Sequence, residues 1–158
     1  MKKISFYDRF RLTAAVLRGQ KTQARFAATT EPPYEVGEIV AVAQAYADFY
    51  NEECDPRQYP KGAGWINKRY AKPELMPHRI RITDMREERL QDISDEDCMD
   101  EGVCKIGEQG CYCFFDNVRC EARQFSTARE AFAALIGKGE WERNPEVYVY
   151  KFELTDKE

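Results

Sequence analysis

Three residues early in the chain carry donors at a spacing suited to recognising an anion or a carbonyl. Gly19-Gln20-Lys21-Thr22 is followed by Arg25. An ammonium, a hydroxyl and a guanidinium so close together can grip a phosphate or a base carbonyl. The same residues also fit a solvated turn after a helix, since lysine and arginine are usually exposed. An acid is the natural counterpart. Residues 92–101 hold six acids and no base, ending at Glu101. Acids at the start of a helix gain from its positive end. Glu101 lies at the other end, where that gain is absent. A third group mixes aromatics with bases: Trp65 and Tyr70 beside Lys68 and Arg69. Such a surface can stack a nucleobase, although aromatics more often fill cores. Arg79 and Arg81 point outward from one strand face, as exposed rim or as phosphate contacts.

Other chemistries find less support. His78 is the one histidine, so paired-histidine acid–base cleavage of RNA has no residues to run on. Of six cysteines, five fall late, at Cys98, Cys104, Cys111, Cys113 and Cys120. No Cys-x-x-Cys pair occurs, and a structural zinc site usually needs two close pairs. Reduced thiols and no metal or other cofactor are expected.

The elements that must position these groups follow from pattern. The length of 158 residues suits one domain over 1–158. The composition, 43% hydrophobic and 33% charged, is that of a soluble globular chain. No apolar run is long enough for a membrane span. Met1 to Asp8 has two lysines without an apolar stretch, so no signal peptide and a cytoplasmic location are expected. The net charge of −4 argues against coating nucleic acid by bulk charge. Residues 8–25, with five bases against one acid, leave room for a local basic site.

A strand is expected over 2–7, then a helix over 9–18 capped by Asp8 and stopped by Gly19. Residues 20–30 show no clear period. Val36 to Ala43 turns into a strand covered on both faces. Residues from about 47 to 75 read as an insertion or lid. Ile80 and Ile82 alternate with Arg79 and Arg81 in a strand running toward Leu90. Ser94 starts a helix that stops near Gly102. The stretch from about 103 to 125 is a cysteine-rich loop with a hairpin as an option. Thr127 caps a helix through Ile136, ended by Gly137 and Gly139, and a last strand covers 147–154. This order gives an α+β domain around a small, mostly antiparallel sheet or barrel.

Four elements then resemble one family. Gly19-Gln20-Lys21-Thr22 with Arg25 is similar to the G-x-K-T element of the ASCH domain. Tyr34-Glu35-Val36-Gly37-Glu38-Ile39-Val40 is similar to the family's Y-x-x-G-D-x-V step into a strand. The stretch from Ile80 to Glu101, and Trp141-Glu142-x-Asn144-Pro145, resemble ASCH-like proteins of phages and bacteria. The resemblance implies a PUA-like fold: a small β-barrel with flanking helices and a cleft for RNA or a nucleoside. Some small bacterial relatives are amidohydrolases that deacetylate N(4)-acetylcytidine with a lysine, a threonine three residues later and a glutamate. Here the lysine is Lys21, the threonine position is Ala24 and the glutamate falls at Glu101. Alanine offers no oxygen nucleophile, and Thr22 sits about 7 Å further along a strand. At Ala43-Gln44 many phage-type relatives carry Arg-Glu. The resemblance thus implies RNA or nucleoside binding between Lys21, Thr22 and Arg25 on one wall and Glu101 on the other, with Trp65 and Arg81 as further contacts. The alternatives are hydrolysis of an acylated nucleoside and a phage-type protein-interaction module docking through residues 47–75.

Overall fold

Two long alternating segments make the centre of the molecule. Arg79–Arg89 (β4) and Glu146–Thr155 (β8) run antiparallel, with a bulge between Ile82 and Asp84. A bulge places one extra residue, Thr83, out of register and increases the local twist. Ile80 and Ile82 on one strand, and Val149, Tyr150 and Phe152 on the other, are buried. Each such side chain contributes roughly 1.5–3 kcal/mol by leaving water. Ile39–Val42 (β3) adds to β4, and Lys3–Ile4 (β1) pairs with β3 in parallel. Gln23–Ala27 (β2) adds to the far side of β8. The order is β1-β3-β4-β8-β2. The computed structural model describes residues 1–155.

The fold is therefore α+β, as expected, but the sheet is open. Its outer strands, β1 and β2, do not pair with each other among the described residues, so the expected closed barrel is not what the pairing shows. A second sheet of three antiparallel strands holds Cys104–Ile106 (β5), Cys111–Asp116 (β6) and Glu121–Phe125 (β7). It occupies the stretch expected to be a cysteine-rich loop with a hairpin as an option. Cysteines and phenylalanines there mask the polar–apolar alternation that marks a strand.

Among the described residues, five α-helices flank the sheets. They are Leu12–Leu17 (α1), Ala63–Ile66 (α2), Asp95–Asp100 (α3), Ala128–Ile136 (α4) and Lys138–Arg143 (α5). The Ser94 and Thr127 hydroxyls accept from the backbone N–H of Asp97 and Glu130 at 3.1 Å, as the sequence implies. Phe132 and Leu135 of α4 enter the main core. Gly137 does end α4, but α5 begins at once and contains Gly139. No helix among the described residues is long and apolar enough to cross a membrane.

The helix expected over 9–18 is broken. Asp8–Phe10 forms a 3-10 turn, and Arg11 takes φ 57° before α1 begins. Tertiary contacts hold Arg11 in this conformation. Its Nε donates to Asn117 Oδ1 at 2.8 Å, and its guanidinium lies 3.8 Å from the centre of the Phe115 ring. Asp8 is no helix cap. Its carboxylate accepts from the Thr13 hydroxyl at 2.6 Å and pairs with Lys68 at 2.9 Å. Residues 47–75 are short turns around α2, over a second small core of Ala41, Tyr46, Ala71 and Met76.

The 3-10 turn is tied to the second sheet by an ion pair whose acid is fully buried. Arg9 donates from Nε and one terminal nitrogen to the two oxygens of Asp116, both at 3.0 Å. Asp116 also accepts from the backbone N–H of Val118 and Arg119. The hydrogen bond from Arg9 holds its carboxyl at about 2, below the ordinary aspartate value near 3.9. A depressed carboxyl stabilises the fold above the unfolded value, and that contribution disappears as pH falls toward the folded one. The stability gap between the wild type and Asp116→Asn is thus expected to be constant above about pH 5 and to shrink toward pH 2. Urea midpoints across that range measure it; a gap independent of pH would show that Asp116 is not held by its charge.

Candidate functional site: a buried charge network on a cavity wall

The site begins where α1 ends. Gly19, at φ 77°, closes the helix with a double backbone link. Its N–H donates to Val16 O at 3.0 Å, and that of Gln20 donates to Ala15 O at 2.8 Å. Only a residue tolerant of the left-handed region fits there. The turn delivers Lys21 just before β2, and the entry to that strand is pinned from both sides. Thr22 N–H donates to Asp100 O at 2.8 Å, and Phe152 N–H donates to Thr22 O at 3.0 Å. Side chains alternate along a strand, so Lys21, Gln23 and Arg25 share one face. Opposite them stands α3, with Asp97 and Glu101 four residues apart and hence stacked on one side. Gly102 follows at φ 118°. A Cβ on it would stand 2.9 Å from Leu12 Cδ2, so the glycine lets the end of α3 close against α1.

The facing groups form one network. Lys21 Nζ donates to the Glu101 backbone oxygen at 2.9 Å and to its Oε1 at 3.2 Å. Arg25 donates to Glu101 Oε2 at 2.9 Å, to Gln23 Oε1 at 2.9 Å and to Glu88 Oε1 at 2.7 Å. Gln23 Nε2 donates to Asp97 Oδ1 at 2.9 Å, and Arg86 donates to Asp97 Oδ2 at 2.6 Å. Lys21 and Glu101 are each 4% exposed and Gln23 is 1% exposed. Charges so buried are tolerated only when paired and hydrogen-bonded.

Burial pushes the Lys21 amine below its ordinary range, against the opposing pull of Glu101. At Asp97 burial acts upward, yet hydrogen bonds from Gln23 and Arg86 and the charges of Arg86 and Arg25 leave the carboxyl low. Asp100 is pushed up by burial and by the charge of Asp97. One donor is left over: Arg25 Nε is buried without an acceptor.

The network borders a cavity of about 1090 Å³. Lys21, Ala24, Arg25 and Glu101 line it together with Phe6, Phe10 and Leu12. Lys21 Nζ lies 5.8 Å from the centre of the Phe6 ring. The cavity continues past Arg9, Arg119 and Arg123 and along the α4–α5 junction.

Three of the residues singled out from sequence, Lys21, Arg25 and Glu101, thus meet at one wall. The other three do not line the cavity. Thr22 is held by backbone bonds to Asp100 and Phe152. Trp65 packs against Tyr50, with ring centres 5.2 Å apart and Lys61 above it. Arg81 sits in β4 opposite Ile39 and Glu153. Gln23, Glu88, Arg86 and Asp97 belong to the network and were not foreseen. The period-two run Lys21-Gln23-Arg25 and the four-residue step from Asp97 to Glu101 are the signals that mark them. Among the described residues, no cluster of three or more potential ligands is arranged for a metal. All six cysteines are free thiols. Cys98 is fully buried, and burial raises its thiol to about 12.

No family model matches this chain, and no curated protein matches it. Among solved structures it is similar to an ASCH domain from Lactobacillus crispatus JV V101, at 13% identity and a TM-score of 0.47, over 98% of this chain and 81% of that one. It is also similar to a DUF984-family protein from Enterococcus faecalis V583, at 13% identity and a TM-score of 0.48, over 92% of this chain and 68% of that one. Similarity this distant leaves the chemistry of the cavity to its own residues.

Proposed function

We propose that the chain is one PUA-like, ASCH-type unit whose cavity binds the base of an RNA chain or of a modified nucleoside. The observation that carries this is the Lys21–Arg25–Glu101 wall: two buried cations and a carboxylate facing a cavity, with Arg25 Nε lacking an acceptor. A base such as cytosine or guanine carries a ring carbonyl and an exocyclic amine on one edge. Its carbonyl accepts from Arg25 or Lys21, and its amine donates to Glu101. Each Glu101 oxygen takes one bond from a cation, which leaves lone pairs to accept another. Phe6 and Phe10 supply apolar ring surface nearby, of the kind on which bases pack.

Hydrolysis of an acylated nucleoside is the lesser alternative. Ala24 lines the cavity with a methyl group where those relatives carry the threonine, and a methyl cannot attack a carbonyl. The nucleophile would then have to be a water held on a remaining Glu101 lone pair.

Calorimetric titration with the four nucleosides, N(4)-acetylcytidine and short single-stranded RNAs tests the proposal. Saturable binding of at least one at millimolar concentration or below is expected, with no loss of the acetyl group by absorbance. Absence of binding across the panel would contradict the proposal. Acetyl loss would instead establish the hydrolytic alternative.

A further inference from the structure

The far part of the cavity has a chemistry of its own. Of the three-stranded sheet, Arg123 of β7 lines it, projecting among aromatics. Its guanidinium lies 5.4 Å from the centre of the Phe114 ring and 5.7 Å from that of Phe125. Those two rings stack on each other at 5.6 Å and 23°, so they form a fixed platform for the cation. Among the described residues, Arg123 has no carboxylate or other hydrogen-bond partner. Its neighbours differ. Arg9 spends its donors on Asp116. Arg119, half exposed, lies 3.9 Å from both Asp116 and Glu121. The cavity as a whole is lined by six basic and three acidic side chains, in a chain of net charge −4. At about 1090 Å³ it also exceeds the space a base alone would fill.

We infer that Arg123, with Arg119 beside it, forms an anion subsite that takes a phosphate group of the ligand, so that the cavity holds a nucleotide or an RNA segment in preference to a free nucleoside. This rests on the base-binding function proposed above. A guanidinium offers a planar fork to two phosphate oxygens. One fixed on a ring platform loses little freedom when it makes those bonds. Arg123 has its donors free for that use.

The experiment compares a nucleoside that binds, its 5′-monophosphate, a short RNA containing it and inorganic phosphate, using the full chain. The wild type should bind the monophosphate or the RNA at least about tenfold more tightly than the nucleoside, as a charge-assisted hydrogen bond implies. A gain for the RNA alone assigns the subsite to a chain phosphodiester. A gain for the monophosphate assigns it to a terminal phosphate. In Arg123→Gln the ratio should fall toward one, and binding should lose about one unit of salt dependence. Arg123→Lys keeps the charge and should retain part of the preference, which separates loss of the subsite from misfolding. Equal binding of nucleoside and phosphorylated ligands by the wild type would overturn the inference while leaving base binding intact. So would an unchanged preference in Arg123→Gln. Binding of inorganic phosphate as tight as that of the nucleotide, lost in Arg123→Gln, would leave the anion subsite standing and remove the base.

Discussion

Replacing Glu101 by alanine is expected to remove about 3–5 kcal/mol of folding stability, the usual cost of stranding a buried charge. Arg25 keeps Glu88 and Asp97 as partners. Lys21 keeps only the Glu101 backbone oxygen, at a position that is 4% exposed. The loss therefore falls mainly on the lysine. It should also acquire a pH signature. Burial already lowers the Lys21 amine, and without Glu101 nothing opposes that pull. Over the interval between its folded and unfolded values the unfolded chain then binds more protons than the native one, so stability rises with pH toward the unfolded lysine value near 10.4. Urea unfolding at pH 7 and pH 9.5 measures both effects: a large drop in midpoint at pH 7, and partial recovery at pH 9.5. A loss below about 1 kcal/mol with no recovery would mean that solvent carries these charges, as it does for exposed pairs.

Lys21→Met is expected to behave in the opposite way. It keeps the length of the apolar stem and deletes the amine. Glu101 retains Arg25 at 2.9 Å, so no charge is stranded. Removing one member of a buried pair normally destabilises, but with Arg25 still on Glu101 the loss is expected to be smaller than in Glu101→Ala. Binding should suffer instead, by roughly tenfold to a hundredfold, because a charge-assisted hydrogen bond to the ligand is lost. Titration of the variant against the tightest ligand of the wild type tests this, with its melting temperature as the control for folding. Equal affinity in a folded Lys21→Met protein would remove the lysine from the binding wall. Together the two variants separate the acid that holds the network together from the cation that meets the ligand.

Some of this site was legible in the chain and some was not, for physical reasons. A helix-ending glycine two residues before Lys21, and an acid at the end of α3 where it gains nothing from the helix dipole, are local features, and they pointed to two side chains that the structure brings together. The hydroxyl caps at Ser94 and Thr127 and the alternation at Ile80 and Ile82 are local too. Strand β2 was hidden because its inward face is charged. Lys21, Gln23 and Arg25 are buried by acids more than 60 residues away, and no pattern of hydrophobic residues announces that. Arg11 breaks the first helix for the sake of Asn117 and Phe115, which are equally remote. Trp65 among basic residues looks the same in sequence whether it stacks on a base or, as found, packs edge-on against Tyr50. Closure of the sheet depends on whether β1 and β2 meet, a long-range outcome that short alternating strands do not encode.

The most direct measurement is a crystal structure of the protein with its tightest nucleoside or nucleotide at saturation. It should show the base in the cavity, with its polar edge within about 3.2 Å of Lys21, Arg25 or the Glu101 carboxylate. A base seated elsewhere, for example against Trp65 and Tyr70, with the Lys21–Glu101 pair untouched, would contradict the central claim.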